Sequence, residues 1–174
     1  MTQLKGGGKC ERKLIYNMQN RGKQFEEVIR KDFEKVKDTS VIRLPDPVQG
    51  YLGYRNICDF LVYHYPHQYC IECKSTKTNV LPFVNITKNQ WQGLGEVAKI
   101  KGIKAGIICW FTERDVTIYV PIQRLQYLQS IGRKSIKFDS YLYDESVMLI
   151  KGKKKRVFFD YDMRDFFERM EKNK

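Results

Sequence analysis

Residues 55–76, RNICDFLVYHYPHQYCIECKST, read as a β-hairpin. Ile57 to Tyr63 and Tyr69 to Lys74 are rich in β-branched, aromatic and other apolar side chains, and Tyr65-Pro66-His67-Gln68 interrupts them. Into this apolar setting the chain puts three charges, Asp59, Glu72 and Lys74, which a buried strand disfavours without a partner. A four-residue turn sets Asp59 opposite Lys74. Any even-length turn keeps all three side chains on one face, because side chains alternate along a strand with a period of two. Two carboxylates and an ammonium on one face suit a divalent metal and an anionic transition state.

At 174 residues the chain is long enough for one domain with a substantial core. Its composition, 42% apolar and 30% charged, is that of a folded protein rather than a disordered one. The net charge of +12 favours a polyanionic partner, and nucleic acid is the usual one. The longest apolar run, Ala105 to Phe111, is too short to span a bilayer, and the N-terminus has no apolar signal core. A cytoplasmic protein is expected. Five cysteines without a secretory signal argue against a disulfide framework. His64-x-x-His67 followed by Cys70-x-x-Cys73 has a zinc-like look, but Cys70 and Cys73 on one strand point to opposite faces.

Residues 1–19 read as a flexible basic arm, and residues 20–174 as a single domain. A helix opens at Asn20 or Gly22 and runs to about Lys37, with Phe25, Val28, Ile29, Phe33 and Val36 on its apolar stripe. Glu26 lies at the edge of that stripe and Glu27 opposite it, so Glu26 can look towards the sheet. It is either a first-turn acid complementing the helix dipole or part of the charged site. Ser40 to Leu44 is a short strand, followed by the loop LPDPVQGYLGYR, in which Tyr51, Tyr54 and Arg55 suit contacts to a DNA backbone or an unpaired base.

Lys74 to Lys88 reads as a polar loop. Thr87-Lys88-Asn89-Gln90 matches a capping box, opening a helix to Lys101 that Gly102 stops. Ile103 to Phe111 has the continuous apolar character of a buried central strand, and Val116 to Val120 is the next strand. Pro121 starts a helix with Ile122, Leu125, Leu128 and Ile131 on one face. Ser135 to Ile150 holds one or two strands, and Lys151 to Arg156 is a dense basic turn, either a solvated tip or a second DNA contact. Asp162 to Met170 closes the chain with an amphipathic helix. The fold class expected is α/β, a mixed central sheet flanked by helices.

The spacing Asp59-x12-Glu72-x-Lys74 resembles the PD-(D/E)xK nuclease superfamily. With Asn20-Arg21-Gly22, Phe25-Glu26, Glu72-Cys73-Lys74-Ser75-Thr76, Leu81-Pro82-Phe83, Asn85 and Gln90, it resembles more narrowly the RecU Holliday-junction resolvases, from about Asn17 to Pro121. The resemblance implies a restriction-endonuclease-like fold, a homodimer, and metal-dependent hydrolysis of branched DNA. It implies Mg²⁺, with Mn²⁺ as substitute, held by Asp59 and Glu72 with Gln90 and the Cys73 carbonyl assisting. Lys74 would neutralise charge on the phosphoryl oxygens, and Glu26 would support the site. Gln90 therefore has two readings, capping partner and metal helper, on the same helix start. Arg21, Lys23 and Lys77 join Tyr51, Tyr54 and Arg55 as expected DNA contacts. Two departures stand out: the family's long projecting stalk is reduced here to about a dozen residues, Leu44 to Arg55, and Ile57 replaces a threonine. A general endonuclease of the same superfamily and a non-catalytic nucleic-acid binder are the alternative readings.

Overall fold

The computed structural model describes residues 7–45 and 56–172, with side chains described from residue 21 onward. Three connected helix and strand segments come first: α1 (Gly7–Glu34), β1 (Thr39–Arg43), and the hairpin β2 (Phe60–His64) and β3 (His67–Thr76). Then follow β4 (Val80–Pro82), α2 (Lys88–Val97), β5 (Ile103–Phe111), β6 (Val116–Pro121) and α3 (Ile122–Ser130). The chain closes with β7 (Ser135–Lys137), β8 (Met148–Leu149), β9 (Gly152–Lys154), β10 (Phe159–Tyr161) and α4 (Met163–Lys172).

A six-stranded mixed sheet in the order β1-β2-β3-β5-β6-β8 forms the centre. Among the described strands only the β3–β5 pair is parallel, with Glu72 level with Ile107 and Lys74 level with Cys109. A parallel pair needs a crossover, and α2 supplies it. β5 carries apolar side chains to both faces, as its continuous apolar run requires. Ile108 and Trp110 join one core with Phe25, Ile29 and Phe33 of α1 and Phe166 and Phe167 of α4. Ile107 and Cys109 join the other with Leu94 of α2 and Ile122 and Leu125 of α3. The first core is aromatic: Phe33 meets both Phe166 and Phe167, and Tyr69 lies 5.2 Å from Phe167 between ring centroids. Removing one of these rings would cost about 3–5 kcal/mol.

The α/β class with helices on both faces is the one expected, and several local features differ. α1 begins at Gly7, inside the stretch read as an arm, and ends at Glu34, three residues before Lys37. The hairpin turn takes two residues, Tyr65-Pro66, rather than four, since His64 already pairs with His67. The register is therefore shifted by two. Extending Phe60↔Ile71 by one position sets Asp59 level with Glu72, not Lys74. The shift is even, so the shared face survives.

Residues 74–88 are more than a loop, because β4 pairs with β7, Leu81 opposite Ile136, and buries both. α2 stops at Val97, with turns carrying the chain to Gly102, whose φ of +89° suits glycine. Pro121 caps α3 from outside, and Ile131 is 54% exposed instead of continuing the buried face. The basic stretch after Ile150 includes a short strand, β9, paired with β10. Cys70 and Cys73 belong to different cores, and His64 stacks on Phe167 at 4.1 Å, so the zinc-like spacing is not gathered into a site. No described helix is long and apolar enough to cross a membrane.

Candidate active site

The start of β2, the end of β3 and the first turn of α2 meet at one end of the sheet. β3 delivers Glu72 and Lys74 to the α2 side by strand alternation, while Ile71 and Cys73 enter the aromatic core opposite. Asp59 enters from the residue before β2. Its Oδ2 accepts a hydrogen bond from the Cys73 backbone N–H at 2.7 Å. Its own N–H donates to the Ile71 carbonyl at 3.0 Å. The carboxylate is thus fixed by main-chain groups of the neighbouring strand.

Glu72 is only 3% exposed. Its Oε1 takes the Lys74 Nζ at 2.7 Å and the Gln90 Nε2 at 2.5 Å. Its Oε2 is buried with no partner among the described residues. Buried carboxylate oxygens are normally hydrogen-bonded, so an orphan beside a second carboxylate asks for a cation. Burial, above all, raises the Glu72 carboxyl above its ordinary range, and Lys74 and Gln90 only partly oppose it. Asp59 is pushed up to about 8, first by burial and then by the negative charge of Glu72, against the pull of the Cys73 N–H. Two carboxylates that resist ionisation together are relieved by a divalent metal, and an oxygen donor set suits Mg²⁺ or Mn²⁺. The fit rests on this pair: among the described residues no cluster of three or more His, Cys, Asp or Glu side chains is placed to hold a metal.

The capping reading of Gln90 is realised, and the other end of the same amide turns to Glu72. Its Oε1 accepts from the Thr87 N–H at 3.0 Å, and the Thr87 hydroxyl accepts from the Gln90 N–H at 3.3 Å, completing the capping box. That leaves Nε2 to hold Glu72. As placed, Gln90 presents a nitrogen to the site and positions the carboxylate.

Glu26 sits on α1, 19% exposed, paired with Arg43 of β1 at 3.0 Å. Its charge adds to the upward pressure on both Asp59 and Glu72. Glu27, as its helix position required, turns outward and is held by Arg30 at 2.8 Å. Arg21 and Lys23 are exposed on α1, and Lys77 is exposed just past β3. Tyr51, Tyr54 and Arg55 lie outside the described residues.

Three contributors escaped the sequence reading. Arg43 holds Glu26. Asn89 donates from Nδ2 to the Asn56 carbonyl at 3.0 Å, and the Asn56 amide donates to the Pro45 carbonyl, so Asn56 and Pro45 are tied to α2. Gly93 gives Ile57 room: a Cβ there would fall 2.2 Å from Ile57 Cγ2. The same turn of α2 therefore seats the chain entering Asp59 and steadies Glu72. Asn89 sits inside the capping-box word, which was a signal for helix start but not for this contact.

A family model, RecU (Recombination protein U), matches residues 32–161, well over half of the chain. No relative among curated proteins matches by sequence. Among solved structures, the fold is similar to that of Hjc from Archaeoglobus fulgidus, a Holliday junction resolvase from an archaeal hyperthermophile. The two share 20% identity with a TM-score of 0.50, over 70% of this chain and 92% of that one. That likeness concerns the fold.

Proposed function

Because the chain belongs to the RecU family of recombination proteins, we propose that it is a metal-dependent, structure-specific endonuclease that resolves Holliday junctions by phosphodiester hydrolysis. The observation that carries this reading is the Asp59–Glu72 pair, buried, mutually repelling, and left with an unpartnered oxygen beside Lys74. Asp59 and Glu72 would hold Mg²⁺, or Mn²⁺ in its place. Bound there, the ion supplies Lewis acidity towards water and the scissile phosphate.

The chain's own groups do the rest. The Cys73 N–H fixes Asp59, and Gln90 and Lys74 fix Glu72, so neither carboxylate must reorganise when substrate arrives. Lys74 is 21% exposed, so its ammonium can reach a phosphate oxygen without leaving Glu72. There it neutralises charge as it builds on the phosphoryl group. Glu26, steadied by Arg43, adds negative charge at the margin of the site. Arg21, Lys23 and Lys77 meet DNA phosphates, with Tyr51, Tyr54 and Arg55 of the short loop contacting the branch. Symmetric cleavage of a four-way junction needs two such sites, which a homodimer supplies, working in the cytosol.

A substrate panel tests the reading. With Mg²⁺ and equal DNA lengths, a four-way junction should be cut in preference to flap, nicked and linear duplexes, and chelator should stop all cutting. Equal rates on every substrate would make the protein a general endonuclease. No cutting with either metal would leave only a DNA binder.

A further inference from the structure

Five of the six residues Lys151 to Arg156 are cationic, and all are exposed. They sit on a hairpin that is firmly anchored. Asp32 of α1, 4% exposed, accepts the Tyr161 backbone N–H at 2.7 Å, and the Tyr161 hydroxyl lies 2.7 Å from the Thr117 hydroxyl in the central sheet. Phe158 packs on Trp110 with ring centroids 5.3 Å apart. Lys151 and Lys154 are turned to Asp165 and Asp115. Arg156 has no ion pair or hydrogen bond among the described residues.

Between this hairpin and α1 runs a groove of about 590 Å³. Lys31, Lys35, Lys155 and Arg156 rim it, over a floor that includes Val28 and Phe158. Asp32 is the acidic residue that lines it, while Glu27 and Asp160 stand beside it, Glu27 holding Lys31 at 3.3 Å. Asp32 is buried and spent on Tyr161 and Lys35, while Asp160 lies between Lys35 and Lys155. Four cations thus face three acids, Glu27, Asp32 and Asp160, and Arg156 is the rim cation that none of them pairs. The groove starts at Gln24, two residues from Glu26, and follows α1 to Lys35, roughly 16 Å at 1.5 Å per residue. Trp110, beneath Phe158, also touches Phe25 and is level with Ser75, the residue after Lys74. At about 100° per residue Gln24 and Glu26 face opposite sides of α1, so the groove lies across this helix from Glu26 and Arg43.

We infer that this groove carries the sugar–phosphate backbone of a duplex DNA arm. Phosphates lie against the cationic rim and deoxyribose faces lie on the apolar floor. The inference rests on the nuclease reading for the position of the DNA, but its test does not depend on cleavage.

The experiment compares salt dependence of binding to a linear duplex for the full-length protein and two doubly neutralised variants. Lys155→Gln/Arg156→Gln should reduce the slope of log K against log[salt] by about 1.8, since each lost phosphate contact is worth about 0.9. Lys99→Gln/Lys101→Gln removes the same charge from the turn before β5, away from the groove, and should leave the slope unchanged. Arg156→Lys should keep the wild-type slope. An unchanged slope in the hairpin variant, or an equal drop in both, overturns the inference. If wild-type protein binds DNA without cutting it while the hairpin variant alone loses slope, the groove stands and the nuclease reading falls.

Discussion

Glu72 and Glu27 each hold a cation at nearly the same distance, 2.7 Å to Lys74 and 2.8 Å to Arg30, and their carboxyls are shifted in opposite directions. Glu27 lies 45% exposed on a helix surface, where the Arg30 hydrogen bond holds it down to about 2. Glu72, 3% exposed, is raised, because burial outweighs what Lys74 and Gln90 return. Separation alone does not distinguish an ordinary surface pair from a site. Burial, a second carboxylate nearby and an oxygen without a partner do. Water competes for the first pair and screens it, whereas the second keeps its unfavourable charge until a ligand arrives.

The largest effects should come from breaking the buried pair. Asp59→Asn and Glu72→Gln should each abolish cleavage while leaving DNA affinity and fold in place, as read by gel shift and thermal melt beside the nuclease assay. Glu27→Gln should cut at the wild-type rate and change stability by no more than about 0.5 kcal/mol, as is usual for surface substitutions. A normal rate in either buried variant would remove those carboxylates from the site.

Next in size is Lys74→Ala. Loss of one preorganised charge from the transition state should slow cleavage by about 10²–10³-fold. Calorimetric Mn²⁺ binding should persist, since an ammonium is not a ligand; its loss would mean that Lys74 mainly holds Glu72 in place.

Gly93→Ala sharpens the comparison from a distance. The added methyl meets Ile57, and overpacking of this kind costs about 1–3 kcal/mol. Melting temperature and cleavage should fall together, and Ile57→Ala in the same chain should restore both. A lasting defect in the double variant would refute the seating role of this contact.

The smallest effect is on pH dependence without metal. Asp59 is raised from 3.8 to about 8 in the folded chain, so the native state binds the extra proton between those values. Its contribution is fully present below about pH 4 and is lost as pH rises through about 8. In chelator, melting temperature should therefore decline across that window more in the wild type than in Asp59→Asn. Added Mg²⁺ should raise it more at pH 8 than at pH 5. Parallel pH curves for the two proteins would contradict the burial argument.

The shared face of Asp59, Glu72 and Lys74 was legible from sequence because strand alternation is indifferent to a two-residue change in turn length. The register itself was not, since Tyr65-Pro66 and Tyr65 to Gln68 are both plausible turns and only packing chooses between them. The capping box at Thr87 was readable, as a local hydrogen-bond pattern with its own residue signature. What escaped was non-local. β4 and β7 are three residues each and pair across more than fifty positions, Val80 with Lys137, so neither carries enough periodicity to announce itself. Asn89 meeting Asn56 and Arg43 meeting Glu26 likewise depend on elements brought together by the sheet. That Gln90 would donate to Glu72 was hidden for a simpler reason: an amide has two ends, and the capping motif accounts for one.

The most direct test of the central claim is calorimetric titration of Mg²⁺ and Mn²⁺ into wild-type protein and Glu72→Gln, without DNA, at pH 8. The Asp59–Glu72 account predicts saturable binding in the wild type and its loss in the variant, with the proton released from Asp59 visible as a dependence of the measured heat on the buffer's ionisation enthalpy. Equal binding in both proteins, or none in the wild type, would contradict it.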